Sequence, residues 1–84
     1  MVKENVRQQI QQLAESKGWE LIEVRKVSDN PLDDYLSYTL CKRNSMNDYC
    51  THLCNHEKLN NVYFAMGHYD FETYESALED LNKR

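Results

Sequence analysis

Val2, Val6, Ile10 and Leu13 recur at steps of four, four and three, with Ala14 beside them, and Gln8, Gln9, Gln11 and Gln12 fill the other faces. A single apolar stripe at the helical period predicts an amphipathic helix over residues 2–17. Gly18 follows directly after Lys17. A glycine there takes the left-handed conformation that closes a helix, and the lysine suits the negative helix end. The stretch WELIEVRKV, residues 19–27, then turns β-branched and aromatic and predicts a strand. Its alternation is imperfect, with Trp19 and Leu21 on one face and Ile22 and Val24 on the other. Either both faces are partly covered or a bulge shifts the phase.

SDNPLDD reads as a loop by its Asp, Asn and Pro content. YLSYTLCKR resumes a cleaner period of two: Leu36, Tyr38 and Leu40 on one side, Tyr35, Ser37, Thr39 and Cys41 on the other. NSMND is a turn, and NVYFAMGHY is a further strand with Val62, Phe64 and Met66 opposed to Tyr63 and Ala65. The last segment, DFETYESALEDLNKR, predicts a second amphipathic helix. Asp70 or Thr73 would cap it, Tyr74, Ala77, Leu78 and Leu81 would form its buried stripe, and Lys83 and Arg84 would complement its C-terminal dipole. The order α-β-β-(β)-β-α predicts a single α+β domain over residues 1–84. It would be two-layer, an antiparallel meander of three or four strands flanked by N- and C-terminal helices that cover one sheet face.

With 84 residues the chain has one small core, burying roughly 60–65% of the unfolded surface. That leaves little volume for an enclosed substrate cavity. No apolar run approaches the ~18–20 residues of a membrane span, and no leader pattern opens the chain. Three cysteines, an odd number, are expected as thiols in a cytoplasmic protein. A net charge of −4 disfavours direct binding to nucleic-acid phosphates and points instead to a protein partner. A basic pair, Lys42 and Arg43, near tyrosines is the one alternative foothold for nucleic acid.

Chemistry-bearing residues concentrate in NDYCTHLCNH, where Cys50, His52, Cys54 and His56 alternate. In a strand, Cys50, His52 and Cys54 share a face, but Cys50 and Cys54 are ~13 Å apart, too far to hold one ion together. Missing ligands would come from Cys41 and His68. In a helix, Cys50/Cys54 and His52/His56 become i,i+4 pairs, each half a zinc site. A zinc-stabilised domain using Cys41, Cys50, His52, Cys54 or His68 is therefore the alternative to a cofactor-free one. Free cysteine is also a common small core residue. No nucleophile turn or phosphate-binding loop is visible, since the only glycines are Gly18 and Gly67. Enzymatic activity is not expected.

Five acidic residues and no basic one lie between Asp70 and Asp80. Glu72, Glu75 and Glu79 follow steps of three and four, so they form one stripe turned away from Tyr74, Leu78 and Leu81. Tyr69 and Phe71 precede the helix. An acidic stripe edged by aromatics can dock on a basic groove by steering plus anchoring, which makes Tyr69, Asp70, Glu72, Glu75 and Glu79 the candidate partner-binding residues. The same stripe also serves simply to keep an outer helix face solvated. Tyr35 and Tyr63 would either be exposed on an open sheet face or cover a second small apolar layer.

The tail VYFAMGHYDFETYESALEDLNKR, a strand running into a capped acidic helix, and the opening IQQLAESKGWELIEV, helix to Gly to Trp-led strand, give the chain an organisation that resembles small accessory proteins of phages and other mobile elements. Among these it is similar in size, acidity and lack of catalytic motifs to anti-CRISPR proteins. That resemblance implies an inhibitor that occludes a basic surface of a host nucleic-acid-handling complex.

Overall fold

The computed structural model describes residues 4–58 and 61–84; the predicted contribution of Val2 to the first helix lies outside them. The chain runs α1 (Glu4–Ser16), β1 (Trp19–Lys26), β2 (Leu36–Arg43), β3 (Asp48–Asn55), β4 (Tyr63–Phe71) and α2 (Tyr74–Lys83). The four strands form one antiparallel sheet in the order β1-β2-β3-β4. The α+β class, the element order and the meander are those the residue pattern predicts, and residues 48–55 are a strand rather than a helix.

Local chemistry explains the boundaries. Gly18 sits at φ 77°, and its N–H bonds to Glu15 O at 3.0 Å, closing α1 in the left-handed conformation that glycine adopts without strain. Pro31–Asp33 forms a single 3-10 turn, with the Asn30 side chain accepting from Leu32 N–H at 3.0 Å. At α2 the cap is Thr73, not Asp70: its hydroxyl accepts from Ser76 N–H at 3.1 Å. Thr73→Ala is expected to lower stability by about 1 kcal/mol, read as a lower urea midpoint at unchanged slope. An unmoved midpoint would mean that this bond does not hold the helix start.

The irregular strand phase in β1 is a bulge. Leu21 pairs with Cys41 and Glu23 with Leu40, so Ile22 is the extra residue. It drops Ile22 and Glu23 onto one face, where Ile22 packs against the cluster of Leu40, Ala77 and Leu81. Two register shifts also break β4, and Met66 and Asp70 take left-handed φ values of 51° and 71°.

The helices do not share a sheet face. Ala14 of α1 packs on Cys41 and Cys50, while Ala77 and Leu81 of α2 pack on Leu40. Leu40 and Cys41 are neighbours in one strand and point to opposite faces. The sheet is therefore held between the two helices, which corrects the expectation that both helices cover one sheet face. The reason lies in the strands: both faces of β2 and β3 carry residues that are fully buried, including Cys41, Cys50 and Cys54 on one and Leu40 and Thr51 on the other.

Candidate functional site

On α2, Tyr74, Ala77, Leu78 and Leu81 turn to the sheet and Glu75 and Glu79 are exposed, as their spacing predicts; Glu72 is exposed too, but it precedes the Thr73 cap and so lies outside the helix that the stripe assumed. Glu79 pairs with Lys83 at 3.0 Å, an exposed i,i+4 contact worth a few tenths of a kcal/mol. Asp80 faces inward instead: it accepts from the Thr51 hydroxyl and lies 2.9 Å from His68 Nδ1. Arg84 follows it inward, with its side chain 8% exposed. Its guanidinium donates to Met66 O at 2.6 Å, Thr51 Oγ1 at 3.0 Å and Thr51 O at 3.2 Å, tying the end of α2 to β3 and β4. Arg84 thus serves as a clamp rather than only as a complement to the helix dipole.

Tyr69 and Asp70 lie away from the glutamate stripe. The Tyr69 ring packs edge-on against Trp19 and His52, which belong to the α1 face of the sheet, and its oxygen is 2.7 Å from His52 Nε2. The Arg43 guanidinium lies 4.8 Å from the centre of the same ring. Arg43 also grips Asp48, with Nε donating to Oδ1 at 2.7 Å, and reaches Asp70 at 3.3 Å. The Arg43–Asp48 hydrogen bond is the main cause of both shifts here: the guanidinium holds Asp48 below the ordinary carboxylate range, and the carboxylate holds Arg43 above its usual value. The five candidate partner-binding residues therefore do not form one stripe: Tyr69 and Asp70 stand beside Arg43 at the end of β4, Glu72 lies in the link to α2, and Glu75 and Glu79 are on α2.

One surface side chain departs from the period of the residue pattern. The alternation sets Met66 on one face with Val62 and Phe64, opposite Tyr63 and Ala65; it is 70% exposed, because the bulge after Ala65 breaks the period of two. With Tyr63 at 48% and Tyr69 at 44%, it gives the free edge strand β4 three large exposed apolar side chains. The adjacent Gly67 is the signal that marks such a break in a strand. Tyr35, at 39%, is also exposed.

Cys41, Cys50, His52 and Cys54 all line the α1 face, and His68 does not: it pairs with Thr51 and bonds Asp80 on the α2 face. His52 is turned to Tyr69 and stacked against Trp19. Among the described residues no group of three or more His, Cys, Asp and Glu side chains is arranged to hold a metal ion, so the zinc alternative loses its ligand set. All three thiols are free and fully buried. Burial pushes the Cys41 thiol up, Cys50 to about 11 and Cys54 to about 12.

His52 is buried among Trp19, Phe64 and Tyr69, and its Nδ1 has no hydrogen-bond partner. A proton on Nε2, donated to the Tyr69 oxygen, leaves Nδ1 a bare acceptor; the other tautomer would bury an unpaired N–H, the rarer and costlier arrangement. Burial, assisted by the positive charges of Arg84, Lys17 and Arg43, lowers its pKa to about 4. His56 is also held below its ordinary value by burial, with its Nε2 2.8 Å from Ser37 Oγ.

Comparison of the chain with protein families, with curated proteins and with solved structures returns no match. Among the described residues no helix is long and apolar enough to cross a membrane.

Proposed function

We propose that this chain is a non-enzymatic, cytoplasmic protein-binding module that covers a basic surface of its partner, acting as an inhibitor of a nucleic-acid-handling complex in the manner of mobile-element-encoded anti-CRISPR proteins. The supporting observation is how its charge is displayed. The arginines beside the candidate residues are spent internally: Arg43 lies between Asp48 and Asp70 with its side chain 15% exposed, and Arg84 is folded onto Thr51 and Met66. Glu72, just ahead of the Thr73 cap, and Glu75 and Glu79 of α2, by contrast, stand outward. Three exposed carboxylates thus stand at the start and along the outer side of α2, where a partner can meet them, and Arg43 is poorly placed to contact phosphate. Charge of this kind steers association and selects partners more than it supplies affinity.

The test is charge reversal at three exposed positions. Glu72→Lys, Glu75→Lys and Glu79→Lys together are expected to leave the melting temperature within a few degrees, since exposed substitutions usually change stability by about 0.5 kcal/mol or less each. Tagged wild-type protein in nuclease-treated host lysate should retain a stoichiometric partner at low salt and lose it at high salt, and the triple variant should retain none. A partner held equally by both proteins removes the acidic-surface reading.

A further inference from the structure

We propose that Cys41 and Cys50 form a redox modification site, a dithiol beneath α1 that a small disulfide oxidant of the glutathione class converts to a cross-strand disulfide when α1 lifts from the sheet. The site is set by register. Cys41 of β2 and Cys50 of β3 are direct partners across the ladder. His56 N–H donates to Tyr35 O at 2.8 Å, which makes 35/56 a hydrogen-bonded pair. Such pairs alternate along an antiparallel ladder, and six positions further in Cys41/Cys50 is again of that kind, with Cα atoms about 5.5 Å apart. That falls within the ~4.4–6.8 Å that a disulfide spans. Cys54 is no competitor: it faces Ser37 and Phe64 and lies ~13 Å along the strand from Cys50.

From α1 a single residue, Ala14, joins the buried cluster of the pair, and Trp19, Leu21 and Phe64 of the sheet pack against it. Ala14 packs on both cysteines, and Ile10 and Ala14 are the only fully buried residues of α1 among those described. The helix joins the sheet through the Gly18 turn and rests chiefly on the edge strand β1. Few buried apolar contacts and a glycine hinge at one end are what allow a segment to open without global unfolding. While α1 is seated, both thiols are buried and held protonated, hence inert.

Once α1 opens, one thiol loses its proton to solvent, and the thiolate attacks a sulfur of the oxidant, releasing one reduced thiol. The second cysteine's thiolate then attacks the protein sulfur of the mixed disulfide and releases the other. Two protein S–H groups are oxidised to one S–S bond, and one oxidant disulfide is reduced to two thiols. The new bond draws the two Cβ atoms to about 3.8 Å, which reshapes the floor under Ala14 and leaves α1 loosened. Nothing in this depends on the partner that the acidic face engages.

The experiment uses the full chain under native conditions with oxidised glutathione, followed by intact mass and non-reducing peptide mapping. The expected product has lost two hydrogens, carries a Cys41–Cys50 cross-link and has no adduct on Cys54. Ile10→Ala, which loosens α1, should speed cross-linking by about tenfold, while Leu81→Ala on the opposite face should change it by no more than about twofold. Equal acceleration by both would mean that global unfolding is required, and a stable glutathione adduct or no cross-link at all would overturn the site. Hydrogen exchange on the unaltered protein gives an independent check. Amides of α1 that exchange no faster than those of β2 and β3 would remove the opening step.

Discussion

Gly67→Val is expected to destabilise the protein by about 3 kcal/mol, at the upper end of what overpacking a close-packed site costs. A Cβ at this position would stand 2.6 Å from His52 Nε2 and 2.6–2.7 Å from two ring atoms of Tyr69. His52 has little room to yield, because its ring is stacked on Trp19 and lies 4.9 Å, centre to centre, from Phe64. Tyr69 is half-exposed and can swing outward. In doing so it gives up the His52 hydrogen bond and the contact with Arg43. Urea titration should show a lower midpoint, and near-ultraviolet dichroism from Tyr69 and Trp19 should weaken. In a Tyr69→Ala background the His52 contact remains but the tyrosine's is gone, so the same valine should cost less, about 2 kcal/mol, a coupling that a double-mutant cycle reads directly. If Gly67→Val costs the same with and without the tyrosine ring, the crowding does not arise from Tyr69.

Acid should weaken the fold well before its carboxylates titrate. His52 in an unfolded chain takes up a proton near 6.5, whereas in the folded protein burial holds it off until about 4. Between those values the unfolded state binds more protons, so stability is full above pH 6.5 and falls as the pH drops towards 4, by roughly 3 kcal/mol in total. His56 is shifted in the same direction and adds to the slope. Asp48 works lower on the scale: its pKa is depressed, so its stabilising contribution is present above the ordinary carboxylate value and is lost only below it. Denaturant unfolding at several pH values between 4 and 7 measures this. His52→Phe keeps an aromatic ring in the stack and should remove about one proton from the dependence, up to roughly 1.4 kcal/mol per pH unit. An unaltered slope in that variant would assign the acid sensitivity elsewhere.

Both effects centre on a residue that the sequence makes conspicuous for a different reason. His52, between Cys50 and Cys54, reads as a possible ligand because its neighbours are ligand types. That the three share one face follows from the pleat alone. What the residue pattern could not show is that Trp19, Phe64 and Tyr69, from β1 and β4, converge on the imidazole, with the Tyr69 oxygen engaging its Nε2. Such contacts join positions up to 50 residues apart in the numbering (Trp19 and Tyr69), and no local period records them. The glutamate stripe of α2 is the opposite case. The exposure of Glu75 and Glu79 depends only on the period of one helix and on which of its sides is apolar, so it was legible, whereas Glu72 is exposed ahead of the cap, outside that period.

The sequence by itself determined the two helices, the glycine that ends the first, the presence of a threonine able to cap the second, and the antiparallel meander between them. Each rests on interactions within a few residues, where hydrophobic period and turn chemistry act directly. Only the tertiary structure decided which face each helix covers, because Leu40 and Cys41 send buried side chains to both sides and nothing in the pattern pairs either side with α1 or α2. It alone decided the bulges of β4 that expose Met66 and give Gly67 its crowded place, since a register shift depends on the partner strand β3. It also turned Arg84 from the helix end to Thr51 and Met66, for a long guanidinium goes to whichever carbonyls the fold brings within reach.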